Sequence, residues 1–551
     1  MTARLPDPGT LATDILVIGG GLAGHQAAVA ARAAGRRVVL AHLGRGASPF
    51  VIGANVPLGH VDAADSPEAF VADMVAGGYG LNDRGLVTAL AERSVAVFEG
   101  LAALGVPFAG ADGRYLQRHL SGNRYPRSVY VPEGTGRAIL DRLSARCGEI
   151  GVETLAGWRA IALLRDADGV AGALLYRRSD GALLAVRAGA VVLAAGGIGR
   201  LYDDSTYPAD VACASYGLAF DAGATLIDME FAQFEPTVTV HPEGCRGMEM
   251  PTAMLGDGAA LLNAAGERFM FRHNPEHGEK RIEKARMSLC IRQEIDEGRG
   301  LPDGTVAMDT TRLPPEKLES YVVHCRRLRR AGLDPAKEMP RVRPAAHSEM
   351  GGIRIDARGF TGIPGLYAAG EAAGGVHGAS RLAGNGGGET IVFGALAGAG
   401  AAAGMREDGA RDWARLETAA LAPLRAALGR RGRTTSEDAR AALRAAMGGG
   451  VGLYRDAAGL TAALAAIARV DDALAGGLDA PTPADAVAAI ETGHMALAAR
   501  LIATAALERT ESRGAHQRRD HPGRDDANWL RHIGFRRDAE GSPCRIDVAI
   551  S

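Results

Sequence analysis

Cysteine is scarce. The 551 residues hold six, at 147, 213, 245, 290, 325 and 544, and no C-x-x-C pair. A zinc ribbon or an iron–sulfur cluster held within the chain needs closely spaced thiolates, so both are excluded. Scattered thiols fit a reducing compartment, here the cytoplasm. No apolar run reaches the roughly 20 residues a membrane span requires; the longest candidate, 391–404, reads as a buried Ala/Gly helix. The first dozen residues carry prolines and charges without an apolar core, so no secretory leader is expected there. Aromatic residues are few, at 5%. An excess of one charge is also missing. The formal net charge is −2 and basic runs such as Arg326-Arg327-Leu328-Arg329-Arg330 are short, which argues against a dedicated nucleic-acid binder. Neither a repeat nor a low-complexity linker is present.

Glycine, by contrast, is abundant, and its placement carries chemistry. The stretch Asp14 to His25 runs four apolar residues into Gly19-x-Gly21-x-x-Gly24, followed by an Ala-rich helical stretch and a second strand at 37–41. This is the strand–turn–helix–strand unit that cradles a dinucleotide pyrophosphate. Gly19 makes the turn, Gly21 admits the phosphates, and Gly24 lets helix and strand pack. The helix N-terminus offers free N–H groups to the anion. An NAD-type unit ends its second strand on an acid; here His42 stands near that point, which favours FAD.

Two more strands run into glycines, at 190–199 and 365–374. Between them, from about 235 to 350, charge rises, prolines cluster, and a helix is expected over about 280–297. The reading is an α/β protein: a Rossmann-like FAD-binding domain in two parts (1–234 and 351–408), an inserted α+β capping domain (235–350), a C-terminal helical domain (409–530) and a polar tail (531–551). Substrate pockets favour such domain crevices.

Taken in order, several motifs resemble the succinate dehydrogenase/fumarate reductase flavoprotein family, which includes L-aspartate oxidase. The carriers include Asp65-Ser66-Pro67-Glu68, Gly134-Thr135-Gly136, Asn263 to Met270, Arg343 to Ile353, His377 to Leu382, and Glu511 to His516 with Arg524 to Asp526. The likeness implies FAD and a hydride passed between flavin N5 and a carboxylate's carbons. It implies cofactor contacts at Gly19, Gly21, Leu22, Ala23 and Gly24, at Gly53, and at Ala195, Gly196 and Gly197. Further contacts are implied at Gly370, at Glu371 toward FAD hydroxyls, and at Asn385 and Gly387, where a helix N-terminus faces the flavin. No His stands in 45–58, where relatives attach FAD covalently, so the FAD is expected to be non-covalent. Three glycines follow Asn385 where the family has Ser-Leu-Leu, which suggests a looser wall. No metal is implied.

His347 and Arg381 match the family's carboxylate-holding His and Arg. An Arg fork grips a carboxylate bidentately. The departures lie across from them. Glu235-Pro236-Thr237 stands where the family has His-Pro-Thr, and Thr252 where it has a proton-path Glu. The proton-donating Arg maps to Lys284 without gaps, to Arg281 with a three-residue shift, and Arg286 is within reach. Glu235 would repel a second carboxylate unless protonated or met by a cation. His241, Met248 and Met250 read as surface-loop residues, and Arg513 and His516 as ion-pair partners of Asp520, Asp525 or Asp526. The expected activity is fumarate reductase/succinate dehydrogenase-like hydride transfer on a small carboxylate. The alternatives are L-aspartate oxidase-type amino-acid oxidation, or an electron-transfer subunit that works only with a separate iron–sulfur or other partner. That partner could hold the chain at the inner membrane face.

Overall fold

The computed structural model describes residues 5–406 and 411–550. The strand Gly9–Ile18, the helix Leu22–Ala33 and the strand Val38–His42 form the expected opening unit. Two glycines make it possible. Gly19 holds φ +132°, and a Cβ on Gly24 would overlap the Gly19 carbonyl oxygen. A side chain at Gly24 would push helix and turn apart, and one at Gly19 would collide with the Ala194 carbonyl at the end of the neighbouring strand.

Seven strands build the central sheet. Gly9–Ile18 lies between Val38–His42 and Leu183–Leu193, parallel to both. Leu183–Leu193 then does double duty. Its first half pairs antiparallel with Gly169–Arg177, and Val191, Val192 and Leu193 pair in parallel with Leu366–Ala368. So the second and third strand-and-glycine segments, far apart in sequence, lie side by side. The C-terminal ends of Gly9–Ile18 and Leu183–Leu193 are apolar because both faces are covered there; Ile15, Leu16, Val17, Val191, Val192 and Leu193 are fully buried.

The inserted segment has its own core. Its antiparallel sheet runs Ala232–His241, Arg341–Glu349, Val306–Asp309 and Ala260–Leu262, and the helix Lys284–Asp296 packs on the first two strands. Met248 and Met250, read from sequence as loop residues, are buried in this core, whereas His241 is exposed. Alternation decides it. The segment bridges Val238 at Glu249, so the flanking methionines point inward.

Helices Trp413–Ala427, Ser436–Gly450, Ala457–Gly476 and Pro483–Glu508 follow. The expected boundary between 408 and 409 lies outside the described residues. Thr482 and Asp485 form a capping box around Pro483, which fixes the start of the last helix. That helix is long and apolar enough to cross a membrane, but 72% of its most apolar window is buried inside the fold. It is the core helix of this region, a role the sequence reading had not given it.

The C-terminal segment is not an irregular tail. His532–Arg537 and Pro543–Val548 form a hairpin that pairs with Leu226–Ile227 and extends a five-stranded sheet. What pins it is a buried ion network. Arg509 donates to Glu230 at 2.6 Å and Glu511 at 3.1 Å, and its guanidinium faces Phe231 and Trp529. Arg513 pairs with Glu511 and, as expected, with Asp526. Among the described residues His516 pairs with no acid. Its Nδ1 lies 2.9 Å from an Arg455 nitrogen, and burial with Arg455 and Arg509 holds it neutral. Arg509→Ala strands the buried carboxylate of Glu230, while Glu511 keeps Arg513, and should cost about 3–5 kcal/mol. A lowered urea midpoint checks this; an unchanged midpoint would show that the network does not hold the C-terminal segment.

Candidate active site

One cavity of about 580 Å³ opens between the central sheet, the cap and the helix Asn385–Gly404. Its floor is the glycine turn: Gly19, Gly21, Leu22 and Ala23 line it, and the Leu22 N–H donates to Ser48 Oγ at 2.9 Å. Gly53, Ala195, Gly196, Gly370, Glu371 and Gly387 continue the lining. Gly24, Gly197 and Asn385 do not reach it. Gly24 is packed under the turn, and a Cβ on Gly197 would sit 2.8 Å from Glu371 Oε1. Asn385 is buried, accepting from Asn55 Nδ2 at 2.6 Å. These three shape the wall from behind.

The residues fit FAD. The floor is backbone where a Cβ would intrude: on Gly21 it would lie 2.7 Å from Ser48 Oγ. Helix N-termini open at both ends, at Leu22 and at Asn385. The triglycine wall is tight, not loose, because a Cβ on Gly387 would lie 2.7 Å from the Gly53 carbonyl oxygen. Glycine lets the 51–55 segment press on the helix. Burial pushes Glu371 up to about 7, although its Oε1 accepts from the Glu349 N–H at 2.9 Å and from the Tyr207 hydroxyl. Burial, with Glu371 nearby, pushes Glu389 up to about 8, and its Oε1 has no partner.

Above this floor sits an ionic cluster. The paired cap strands carry Glu235 opposite Ala345, and His347 lies two residues further on. Lys284, the first residue of its helix, sends Nζ to Glu235 Oε2 at 2.5 Å and to Glu249 Oε1 at 3.1 Å. Lys284, Glu249, His347, His377 and Arg381 line the cavity; Glu235 stands behind them, fully buried. So Glu235 is not the substrate-facing wall the sequence suggested, and the cation that meets it is the chain's own. Arg281 and Arg286 are exposed and outside the cavity. Arg281 precedes the helix at φ +52°, and Arg286, two residues along it, turns away from the cluster.

Three charges share the cluster. Burial works against the ammonium of Lys284, but Glu235 and Glu249 raise its pKa. Burial and the Glu249 charge push Glu235 up to about 7. Burial also opposes the charge on Glu249, yet Lys284 and His347 bring it down to about 2. Burial drives His347 and His377 down to about 3, so both are neutral. His347 Nδ1 lies 3.0 Å from Thr206 Oγ1. Among the described residues the Arg381 guanidinium has no acidic partner, and its Nε is buried without a hydrogen bond. Glu249 was missed by sequence reasoning. Its signal was Met248-Glu249-Met250, one acid between two inward apolar residues on an extended segment.

A dinucleotide cradle roofed by a cap that carries ionisable groups defines a flavin-dependent oxidoreductase. Residues 14–386 match the FAD binding domain family, and 440–549 match the fumarate reductase flavoprotein C-terminal family. The chain is 34% identical to a fumarate reductase (CoM/CoB) subunit of Methanothermobacter marburgensis, covering 96% of this chain and 97% of that one. It is 36% identical to an L-aspartate oxidase of Caulobacter vibrioides, over 93% and 94%. A solved E. coli quinol fumarate reductase FrdA variant superposes with TM-score 0.91 at 28% identity, over 98% and 97%. The chain belongs to the fumarate reductase/succinate dehydrogenase flavoprotein family, which also holds the L-aspartate oxidases.

The cluster's charge sets a pH dependence. Below about 7 Glu235 is protonated, and Lys284 and Glu249 cancel; above it the cluster gains a negative charge facing Arg381. Carboxylate affinity should therefore fall about tenfold as pH rises from 6 to 8. Flavin absorbance titrations measure it, and Glu235→Gln should shrink the pH dependence to the part that Glu371 and Glu389 contribute; an unaltered profile in that variant would place the titration elsewhere.

Proposed function

We propose that this flavoprotein reduces the carbon–carbon double bond of a small α,β-unsaturated carboxylate. The observation that carries the reading is a charged lysine and an unpaired arginine facing one cavity beside the FAD cradle. Bound FAD supplies hydride chemistry. The Arg381 fork holds the substrate carboxylate, with the neutral rings of His347 and His377 as further hydrogen-bond partners. Anchoring the acid this way fixes the reacting carbons, and such positioning contributes several orders of magnitude in rate. Lys284 Nζ then gives its proton to the neighbouring carbon. Glu235 keeps that ammonium oriented, and half-buried Glu249 connects it to the outer cavity for reprotonation.

Oxidation of an amino acid, as in the L-aspartate oxidase relative, would need Lys284 as a neutral base. The two acids hold it charged, which favours reduction. The wall at 44–53 offers no His, which supports non-covalent FAD. A separate iron–sulfur or other partner would deliver the electrons. The relative whose name marks it as one subunit of a larger enzyme supports this, as do six free cysteines, five of them buried. We place the chain in the cytoplasm, at the membrane face only through such a partner.

The test is anaerobic. Chemically reduced protein is mixed with fumarate and other unsaturated carboxylates, and oxidised protein with succinate and aspartate. Unsaturated acids should reoxidise the flavin, and Arg381→Ala should weaken carboxylate binding by at least about 30-fold. Bleaching by aspartate, with no response to any unsaturated acid, would overturn the reading.

A further inference from the structure

Among the described residues seven arginines line the cavity, and three of them are already paired with acids. Arg45 pairs with Asp141 at 2.6 Å, Arg246 with Glu243 at 2.8 Å and Arg343 with Asp204 at 2.5 Å. Arg200 is exposed. Among the described residues, the remaining three have no acidic partner. One is Arg381. The other two, Arg118 and Arg327, are half-buried and come from different parts of the fold. Arg118 belongs to the short strand Gln117–Arg118 of the FAD-binding part, and Arg327 to the helix Val322–Arg330 of the cap.

Each guanidinium rests on an aromatic face. Arg118 lies 3.8 Å from the Tyr130 ring centroid and Arg327 5.9 Å from that of Phe50. Such contacts position a guanidinium without neutralising it. Both charges act on His324, another lining residue, and so does Glu249 of the inner cluster. Burial and the two guanidinium groups push His324 down to about 4, so it adds no charge of its own. The lining thus runs from Arg381 through Lys284 and Glu249 to His324, and on to Arg118 and Arg327. The inner part has a cation for one carboxylate. Its other cation, Lys284, is held by two acids.

We propose that Arg118 and Arg327 form an outer anion subsite, so that the substrate carries a second anionic group several atoms beyond the reacting carbons. This rests on the function proposed above and narrows its substrate class. Carboxylate, sulfonate and phosphate share the required chemistry, since each offers paired oxygens to a guanidinium fork. The subsite is complete only when cap and FAD-binding part face each other, because each supplies one arginine. A short dicarboxylate would set its second charge beside Glu249, with no free cation to receive it.

The experiment compares saturated α,ω-dicarboxylates, from succinate to suberate, with monocarboxylates of equal carbon count. Each is titrated anaerobically into the FAD-loaded oxidised protein and read by the flavin spectrum. At some length above succinate, the dicarboxylate should bind at least about tenfold tighter than its monocarboxylate partner. The ratio should fall to near one in an R118Q/R327Q double variant. A wild-type ratio near one at every length overturns the subsite, and that comparison needs no variant. A ratio unchanged by the double substitution overturns it too. Loss of FAD from the double variant would assign the arginines to the cofactor and overturn it as well. A wild-type protein whose flavin no carboxylate perturbs would instead overturn the inner site at Arg381. At the best length, replacing the distal carboxylate by sulfonate or phosphonate identifies the preferred head group.

Discussion

An ammonium group buried in a protein must be met by opposite charge, and here Lys284 is met twice. Taking such an ion out of water costs several kcal/mol, which only close partners offset. Glu235 and Glu249 are those partners, at 2.5 Å and 3.1 Å. The cap's construction follows from holding them. One strand presents Glu235, its neighbour His347, and the helix that packs on both begins at Lys284. Two acids around one lysine also leave one carboxyl titrating near neutrality, so the site's charge is adjustable where a simple pair's would not be.

The same charge accounting separates structural arginines from available ones. Arg127, Arg509 and Arg513 are buried and fully engaged with acids; they hold segments together. Arg381, Arg118 and Arg327 lie on the cavity with no acid against them among the described residues. Because a charge left unmatched in a partly dry cavity is costly, the proposed anion sites fall on these unpaired cations. The cradle obeys a parallel rule for backbone. It is walled by glycines at the points where a methyl group would take the cofactor's space or force two segments apart.

Much of the fold was legible in the sequence because it is written locally. Gly19 to Gly24, with apolar residues before and an Ala-rich helix after, needs no distant partner to be recognised. The strands ending near 193 and 368 could be assigned to one FAD-binding domain by their shared pattern, and the charged insertion could be marked off by its composition. What stayed hidden depends on contacts across the chain. No local signal shows that 532–548 completes a sheet with Leu226–Ile227, since its polar alternation also suits an exposed tail. The basic stretch 281–286 offered three candidates until the helix start at Lys284 fixed which one points inward. Glu249 was obscured because sequence reasoning looked for an acid at 252, and the fold supplies one from three residues earlier on an adjacent strand-like segment.

In the proposed reaction the proton comes from Lys284. Single-turnover mixing of anaerobically reduced protein with its unsaturated substrate, at saturating concentration, isolates that step. Flavin reoxidation should slow by about 10²–10⁴-fold in Lys284→Gln, with substrate still bound and Lys284→Arg restoring part of the rate. Equal single-turnover rates in the wild-type and Gln proteins would contradict it.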